Sequence, residues 1–327
     1  MIHLLRILFY PVYYYFLGTF AIIEDIFLRR YNKCELKTRS GDVAVITGGA
    51  RGIGAAVVKK LLQCEMHVVI GCRNVSAGSE MVRKLRAEGI TSGSTSILPL
   101  DMASLDSVTA FATAVLNSRP KVHLLINNAG IMFTPYEETV DGFESQWAVN
   151  YLGHFLLCHL LLRRLHETAQ TDGIARIVNV TSCAHHAAYP IDYDNINMKY
   201  NFITQAAYAQ SKAAQLMFTL HLDRALRKMD SQVRVVAVHP GIVNTDLFNG
   251  TYMKIIMPWA PGLLFKSAEE GATTVMFAAL HAKGGDYISN ARSASISKLA
   301  QDQQAQVQLF NHSKRTLGIL SFGGLEL

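Results

Sequence analysis

The sequence predicts an α/β protein built on a doubly wound parallel sheet, carried behind an apolar N-terminal segment. Three observations lead there. Short apolar runs alternate with amphipathic helical stretches from Gly41 onward, which is how strands covered on both faces by helices read. The first run, Val43 to Ile46, enters a glycine turn that opens a helix over Ala55 to Leu62. No linker rich in Pro, Gly or Ser, and no internal repeat, divides the 327 residues, so a single domain accounts for them.

Further strands are expected at His67–Ile70, Ser96–Leu100, Val122–Ile126, Ala175–Val180 and Arg234–Val238. Right-handed crossovers between parallel strands give the double winding. The expected division is an anchor and basic linker over residues 1–40, a domain over 41–315 with a lid around 245–268, and a tail over 316–327.

Composition narrows the function classes. With 50% hydrophobic and 17% charged residues, the chain buries a large core and is not a disordered chain. The net charge of +6 is spread along the chain without a dense basic block, which argues against nucleic acid and suits phosphate cofactors or anionic lipid. The five cysteines are odd in number and contain no CxxC pair, which argues against a disulfide framework and a zinc site. His185 and His186 lack companion ligands at metal spacing, so no metal is expected.

The segment Ile7 to Ile23 runs 17 residues without a charge. About 20 apolar residues span a bilayer, so this is a short span or an in-plane anchor. Tyr13, Tyr14 and Tyr15 suit a membrane interface, and Pro11 allows a bend. Arg29, Arg30, Lys33, Lys37 and Arg39 follow the run, and their excess places the domain on the cytosolic side of a membrane. The endoplasmic reticulum is the expected membrane, with the lipid droplet as alternative.

The glycine turn is Thr47-Gly48-Gly49-Ala50-Arg51-Gly52-Ile53-Gly54. Glycine lets a backbone approach a pyrophosphate, and the helix beyond aims its free N–H groups at the anion. In dinucleotide-binding folds an acidic residue about 20 positions later takes the ribose hydroxyls. Here Cys72 stands 18 positions after Gly54, followed by Arg73. Two guanidinium groups, Arg51 and Arg73, suit a 2′-phosphate, so NADP(H) is favoured over NAD(H).

Further motifs follow in order: Asp101 after the third strand, Asn127-Asn128-Ala129-Gly130 after the fourth, Asn150 in Val149–His154, Ser182 closing the fifth, Tyr208 and Lys212 as Tyr-x-x-x-Lys, and His239-Pro240-Gly241 closing the sixth. Tyr208 and Lys212 are four apart on one helix face. A phenol has a pKa of about 10, and a nearby ammonium would lower it toward a useful acid/base. Ser182 suits a donor to the oxygen on which charge develops.

This ordered set resembles the short-chain dehydrogenase/reductase family over residues 41 to 290, within a Rossmann-type fold. The resemblance implies roles. Tyr208 is acid/base, Lys212 its tuner and ribose ligand, Ser182 the oxygen stabiliser and Asn150 the anchor of a water relay. Asp101 meets the adenine, Asn128 supports the backbone beside the cofactor, and Val243 and Thr245 meet the carboxamide. The 26-position interval from Ser182 to Tyr208, with Asn150–Leu157 and Ala207–Lys212, is similar to retinol-dehydrogenase-like members and to the member acting on polyprenols. The expected substrate is a lipophilic alcohol or carbonyl of retinoid or polyprenoid type, with steroid ketones next. A non-catalytic nucleotide-binding scaffold on a membrane is the reading from another class. The resemblance also leaves room for a homodimer. The apolar stretch Tyr252 to Phe265 is expected to be a lid that admits lipid.

Overall fold

The computed structural model describes residues 2–245, 247, 262 and 264–325, with side chains from Phe9 onward. The expected lid over 245–268 therefore falls largely outside the described residues.

Eight strands form one sheet: β1 Val43–Thr47, β2 His67–Cys72, β3 Ser94–Pro99, β4 Leu124–Asn127, β5 Ala175–Val180, β6 Val233–His239, β7 Tyr287–Ser289 and β8 Arg292–Ser293. Their order is β3-β2-β1-β4-β5-β6-β7-β8. The first seven run parallel and β8 closes the edge antiparallel. The order reverses between β1 and β4, whose register pairs Val45 with Leu125. A crevice at the carboxyl ends of the strands belongs at such a switch point.

The sequence shows why both faces are covered. Every residue of β1 is buried. Val43 and Val45 pack into the core on one face, Ala44 and Ile46 into the core on the other. This is the two-residue period of a strand with no solvated side.

Ten helices flank the sheet among the described residues: α1 Ile2–Leu28, α2 Gly52–Gln63, α3 Val75–Ala87, α4 Leu105–Ser118, α5 Ser145–Trp147, α6 Gly153–Asp172, α7 Thr204–Lys228, α8 Ala268–Leu280, α9 Lys298–Gln301 and α10 Gln303–Thr316. Their starts follow local chemistry. Asn74 accepts from Ala77 N–H at 2.9 Å to cap α3, and Ser267 with Glu270 forms a capping box on α8. The glycine-turn helix starts three residues before the expected Ala55, at Gly52, because its first turn carries the glycines.

Two expectations need correction. The sheet has a seventh parallel strand, β7, which is three residues long and too short for a periodic signal. The expected tail from 316 is not free: Phe322 is buried within 6 Å, centroid to centroid, of Phe155, Phe218 and Phe310. The N-terminal segment is one apolar helix, and among the described residues it is the one helix, Phe9–Tyr31, long and apolar enough to cross a membrane; part of it also packs along the domain. Tyr10, Ala21 and Asp25 of α1 are buried, and the Tyr10 hydroxyl donates to Ala187 C=O at 2.8 Å.

Candidate active site

The site grows from the carboxyl ends of β1, β4, β5 and β6. At β1 the chain turns back on itself with Gly48 at φ +67° and Gly52 at φ +55°. A Cβ on Gly54 would sit 2.2 Å from Gly48 C=O and 2.7 Å from Asn128 Nδ2, so only glycine lets the helix start this close to the turn. A Cβ on Gly52 would lie 3.4 Å from the Thr245 side chain, which places Thr245 against the turn. This cradle fits a dinucleotide pyrophosphate at the start of α2.

Thr47 ties the turn to β4. Its hydroxyl accepts from Asn128 N–H at 3.0 Å and Ala129 N–H at 2.9 Å. With both lone pairs used, its proton goes to His154 Nε2 at 2.9 Å. His154 Nδ1–H then donates to Asn150 C=O at 3.2 Å. Burial drives the His154 pKa down to about 3, so the ring stays neutral and keeps this tautomer. Asn128 Nδ2 donates to the carbonyls of Thr47 and Gly48 at 3.0 and 3.2 Å. Thr47 and His154 escaped the sequence reading. Their signals were present: Thr47 begins the glycine turn, and His154 lies one helical turn after Asn150.

Asn150 lies in a π-type stretch, Ala148–Leu152, that joins α5 to α6. Such local widening of a helix often marks functional sites. The side chain is fully buried. Its Oδ1 accepts from Ile131 N–H at 2.9 Å, and its Nδ2 donates to Ile131 C=O at 3.0 Å and Ser211 Oγ at 2.9 Å. A Cβ on Gly130 would lie 3.2 Å from Asn150 Oδ1 and 3.6 Å from Lys212 Nζ, so the two groups border one space.

Tyr208 and Lys212 share the inner face of α7, both buried. Tyr208 is hydrogen-bonded to Ser182. Ser182 Oγ in turn accepts from Ala184 N–H at 3.2 Å. Lys212 Nζ donates to Val180 C=O at 2.9 Å and stands 5.9 Å from the Tyr208 ring centre. The expected lowering of the phenol pKa is corrected here. Burial outweighs other influences and pushes Tyr208 up, and the same burial brings Lys212 down to about 7. A desolvated amine carries less charge at neutral pH, so its pull on the neighbouring phenol is weakened.

The remaining candidates sit along the same edge of the sheet. Cys72 turns its side chain inward and is buried, whereas Arg73 after it is exposed. Arg51, also exposed, precedes α2 as its N-terminal flank. Asp101 Oδ1 accepts from Ala103 N–H at 3.0 Å just past β3. Val243 is buried and pairs with Lys266 in an isolated bridge after β6. His185 Nδ1 lies 2.7 Å from Ser182 C=O, and its ring packs on His186 at 4.0 Å. Among the described residues no group of three metal-ligating side chains occurs.

A cavity of about 410 Å³ brings some of these parts together, with Asn150, Arg51, Arg73 and Asp101 outside its lining. Ile53, Asn128, Val243 and Thr245 line it, as do Ser182, Tyr208 and Lys212; the lining is otherwise mainly apolar. Such a pocket, largely apolar with a few convergent polar groups, is the usual form of a small-molecule site.

Known proteins agree with this geometry. Residues 42–254 match the family model of short chain dehydrogenases. Human polyprenol dehydrogenase is 37% identical over 291 residues, covering 86% of this chain and 87% of that protein. Mouse retinol dehydrogenase 12 is 36% identical over 283 residues, covering 85% and 87%. Among solved structures, an uncharacterised protein from Mycobacterium paratuberculosis superposes with a TM-score of 0.70 at 30% identity, covering 87% of this chain and 96% of that one. NADPH-bound carbonyl reductase from chicken superposes at 0.60 with 25% identity, covering 80% and 95%. The chain belongs to the short-chain dehydrogenase family, a nicotinamide-dependent oxidoreductase acting on CH–OH groups.

Proposed function

We propose that this protein interconverts a lipophilic alcohol and its carbonyl, of retinoid or polyprenoid type, at a membrane surface. The observation that carries this reading is the mainly apolar cavity in which Ser182, Tyr208 and Lys212 converge. The names of the polyprenol and retinol dehydrogenase relatives support the same substrate class. A ketone reductase of steroid type is the second reading for the same apolar lining.

A bound nicotinamide supplies or accepts the hydride. The chain's own residues handle the proton. Tyr208 exchanges it with the substrate oxygen, and Ser182 steadies that oxygen as charge develops. Lys212 favours the phenolate whenever its amine is charged, and an anionic cofactor beside it raises the charged fraction. Asn150, pinned to Ile131 and Ser211, holds the relay toward Lys212 in place. Tyr208→Phe is expected to lower kcat/KM roughly 10²–10⁴-fold with cofactor affinity unchanged, the range that general acid/base groups supply. Unaltered turnover of every alcohol and aldehyde tested would remove Tyr208 from the acid/base role.

NADP(H) is the cofactor we favour. Gly48, Gly52, Ile53 and Gly54 would cradle it, Asp101 and Asn128 flank it, and Val243, Thr245, Tyr208 and Lys212 stand at its nicotinamide end. Exposed Arg73, with Arg51 in the turn, offers charge for a 2′-phosphate. Arg73→Asp is expected to shift the NADP/NAD affinity ratio about 10- to 100-fold toward NAD, the value of one charge-assisted contact. An unchanged ratio removes Arg73 from the phosphate site.

Membrane attachment falls to the outer face of α1. Phe9, Val12, Phe16, Phe20, Ile23 and Phe27 are all exposed there, with Phe27 at 72%. Because the opposite face docks on the domain, the helix lies in the plane of the interface rather than across the bilayer. The basic residues after it set the domain on the cytosolic side, with the endoplasmic reticulum as the membrane and the lipid droplet as alternative. Burying a Phe side chain contributes about 1.5–3 kcal/mol. Phe16→Glu with Phe20→Glu is therefore expected to move the protein from the membrane pellet to the soluble fraction. Retention after alkaline wash puts the anchor elsewhere.

A further inference from the structure

The inner face of α1 forms part of the cavity wall. Tyr14, Leu17, Gly18 and Ile22 stand at i, i+3, i+4 and i+8, so they share one side of the helix. All four line the cavity that holds Ser182, Tyr208 and Lys212. The wall is connected to the candidate acid/base by rings: Tyr14 packs edge-on to Phe133 at 5.5 Å, and Phe133 to Tyr208 at 5.8 Å.

Both ends of this wall are fastened to the domain. At one end Tyr10 bonds Ala187. At the other, Asp25 makes a buried ion pair with Lys266 at 2.8 Å and accepts from Ile242 N–H at 2.8 Å. Asn290 closes the cluster, donating to Asp25 Oδ1 at 3.0 Å and accepting from Lys266 Nζ at 2.7 Å. The position of the wall is therefore fixed by four residues distant in the chain, Ala187, Ile242, Lys266 and Asn290.

Gly18 is the one wall residue without a side chain. Its backbone is not in the left-handed region, and a Cβ built on it meets nothing within 4 Å. Glycine inside a helix costs about 1 kcal/mol against alanine, and no turn or close approach requires it here. What its absence of side chain provides is room in the cavity that Ser182, Tyr208 and Lys212 also line.

We propose that α1 is the chain-length-selecting wall of the substrate site, and that Gly18 opens the space in which an elongated apolar chain lies. This rests on the reading of the substrate as a lipophilic alcohol. Membrane attachment and substrate selection then belong to two faces of one helix, so that a chain leaving the bilayer meets the selecting surface first.

The test uses the full chain in detergent and two probes, geranylgeraniol with four isoprene units and prenol with one. Gly18→Trp is expected to weaken geranylgeraniol binding at least about tenfold, the scale on which a filled apolar pocket discriminates. Prenol and NADP(H) binding should stay within about twofold. Equal loss for both alcohols, or no loss for either, overturns the assignment of the wall. Turnover of the two alcohols by the unaltered protein is read separately: binding without turnover defeats the proposed reaction and leaves the wall assignment standing. Gly18→Ala, which fills little space, should bind both probes as the parent does, and loss there as well counts against the steric account.

Discussion

Lys212→Met is expected to abolish turnover and to make the unliganded protein more stable at pH 7. The first effect follows from the proposed role of Lys212 as tuner of Tyr208, and a loss of roughly 10²–10⁴-fold is in the range for such groups. The second follows from burial. Lys212 has its pKa pulled from 10.5 to about 7 by desolvation alone. Its folded-state pKa lies below its unfolded value, so the unfolded chain binds more protons between those limits. The group's contribution to stability is therefore fully present above about pH 10.5 and is lost as pH falls through 7. A methionine carries no such dependence. The variant should exceed the parent in Tm at pH 7, and the gap should narrow as pH rises toward 10. Each pKa unit corresponds to about 1.4 kcal/mol. Loss of the Nζ bond to Val180 C=O offsets about 1–3 kcal/mol. A net gain of a few kcal/mol corresponds to several degrees for a domain of this size. Thermal melts of both proteins at pH 7 and 9.5 decide it. A variant that melts lower at pH 7, or a gap independent of pH, means the amine is not desolvated as described.

This conflict between stability and chemistry shows what the sequence could and could not convey. That Tyr208 and Lys212 share a face is local information, legible from their spacing of four. That burial rather than mutual charge governs both pKa values is not local. It depends on β5, on Ser182 and on the packing of α7, and the spacing alone suggested the opposite shift for the phenol. The strands were legible for the same reason as the pair. Val43–Ile46 is a continuous apolar run, and Ala175–Val180 is apolar apart from Arg176 and Asn179, as a strand buried on both faces allows. β7 was not, because three residues carry no period.

The glycine turn was legible in type and in spacing, and the structure adds the reason for one glycine that the motif left unexplained. Gly241 sits at φ +93°, and a Cβ there would fall 2.6 Å from Lys266 Nζ and 2.7 Å from Asp25 Oδ2. The glycine after His239-Pro240 is thus needed where the buried ion pair passes the backbone. In the sequence Asp25 reads only as the acidic end of an apolar run. Its partners lie 217 to 265 residues away, and no periodic pattern reports a contact at that separation.

Asp25→Ala is expected to be among the most damaging single changes available outside the candidate catalytic set. It leaves the Lys266 ammonium buried at 2% exposure without its carboxylate and the Ile242 N–H without its acceptor. Breaking a buried pair from one side costs about 3–5 kcal/mol, against a total stability of about 5–15 kcal/mol. Lys266→Met on its own strands the Asp25 carboxylate and should cost a similar amount. The double variant leaves neither charge unpaired, so it should be destabilised by less than the sum of the two, and the surplus measures the coupling. Urea melts of the four proteins supply the cycle. The consequence for the site is directional. Ile242 is followed by Val243 and Thr245, and Thr245 rests against the glycine turn, so loosening Asp25 should weaken NADP(H) binding before it touches the Tyr208–Ser182 contact. If the two single losses simply add, or cofactor affinity stays constant while stability falls, then Asp25 serves only to hold α1 down and the helix is not coupled to the cofactor edge of the cavity.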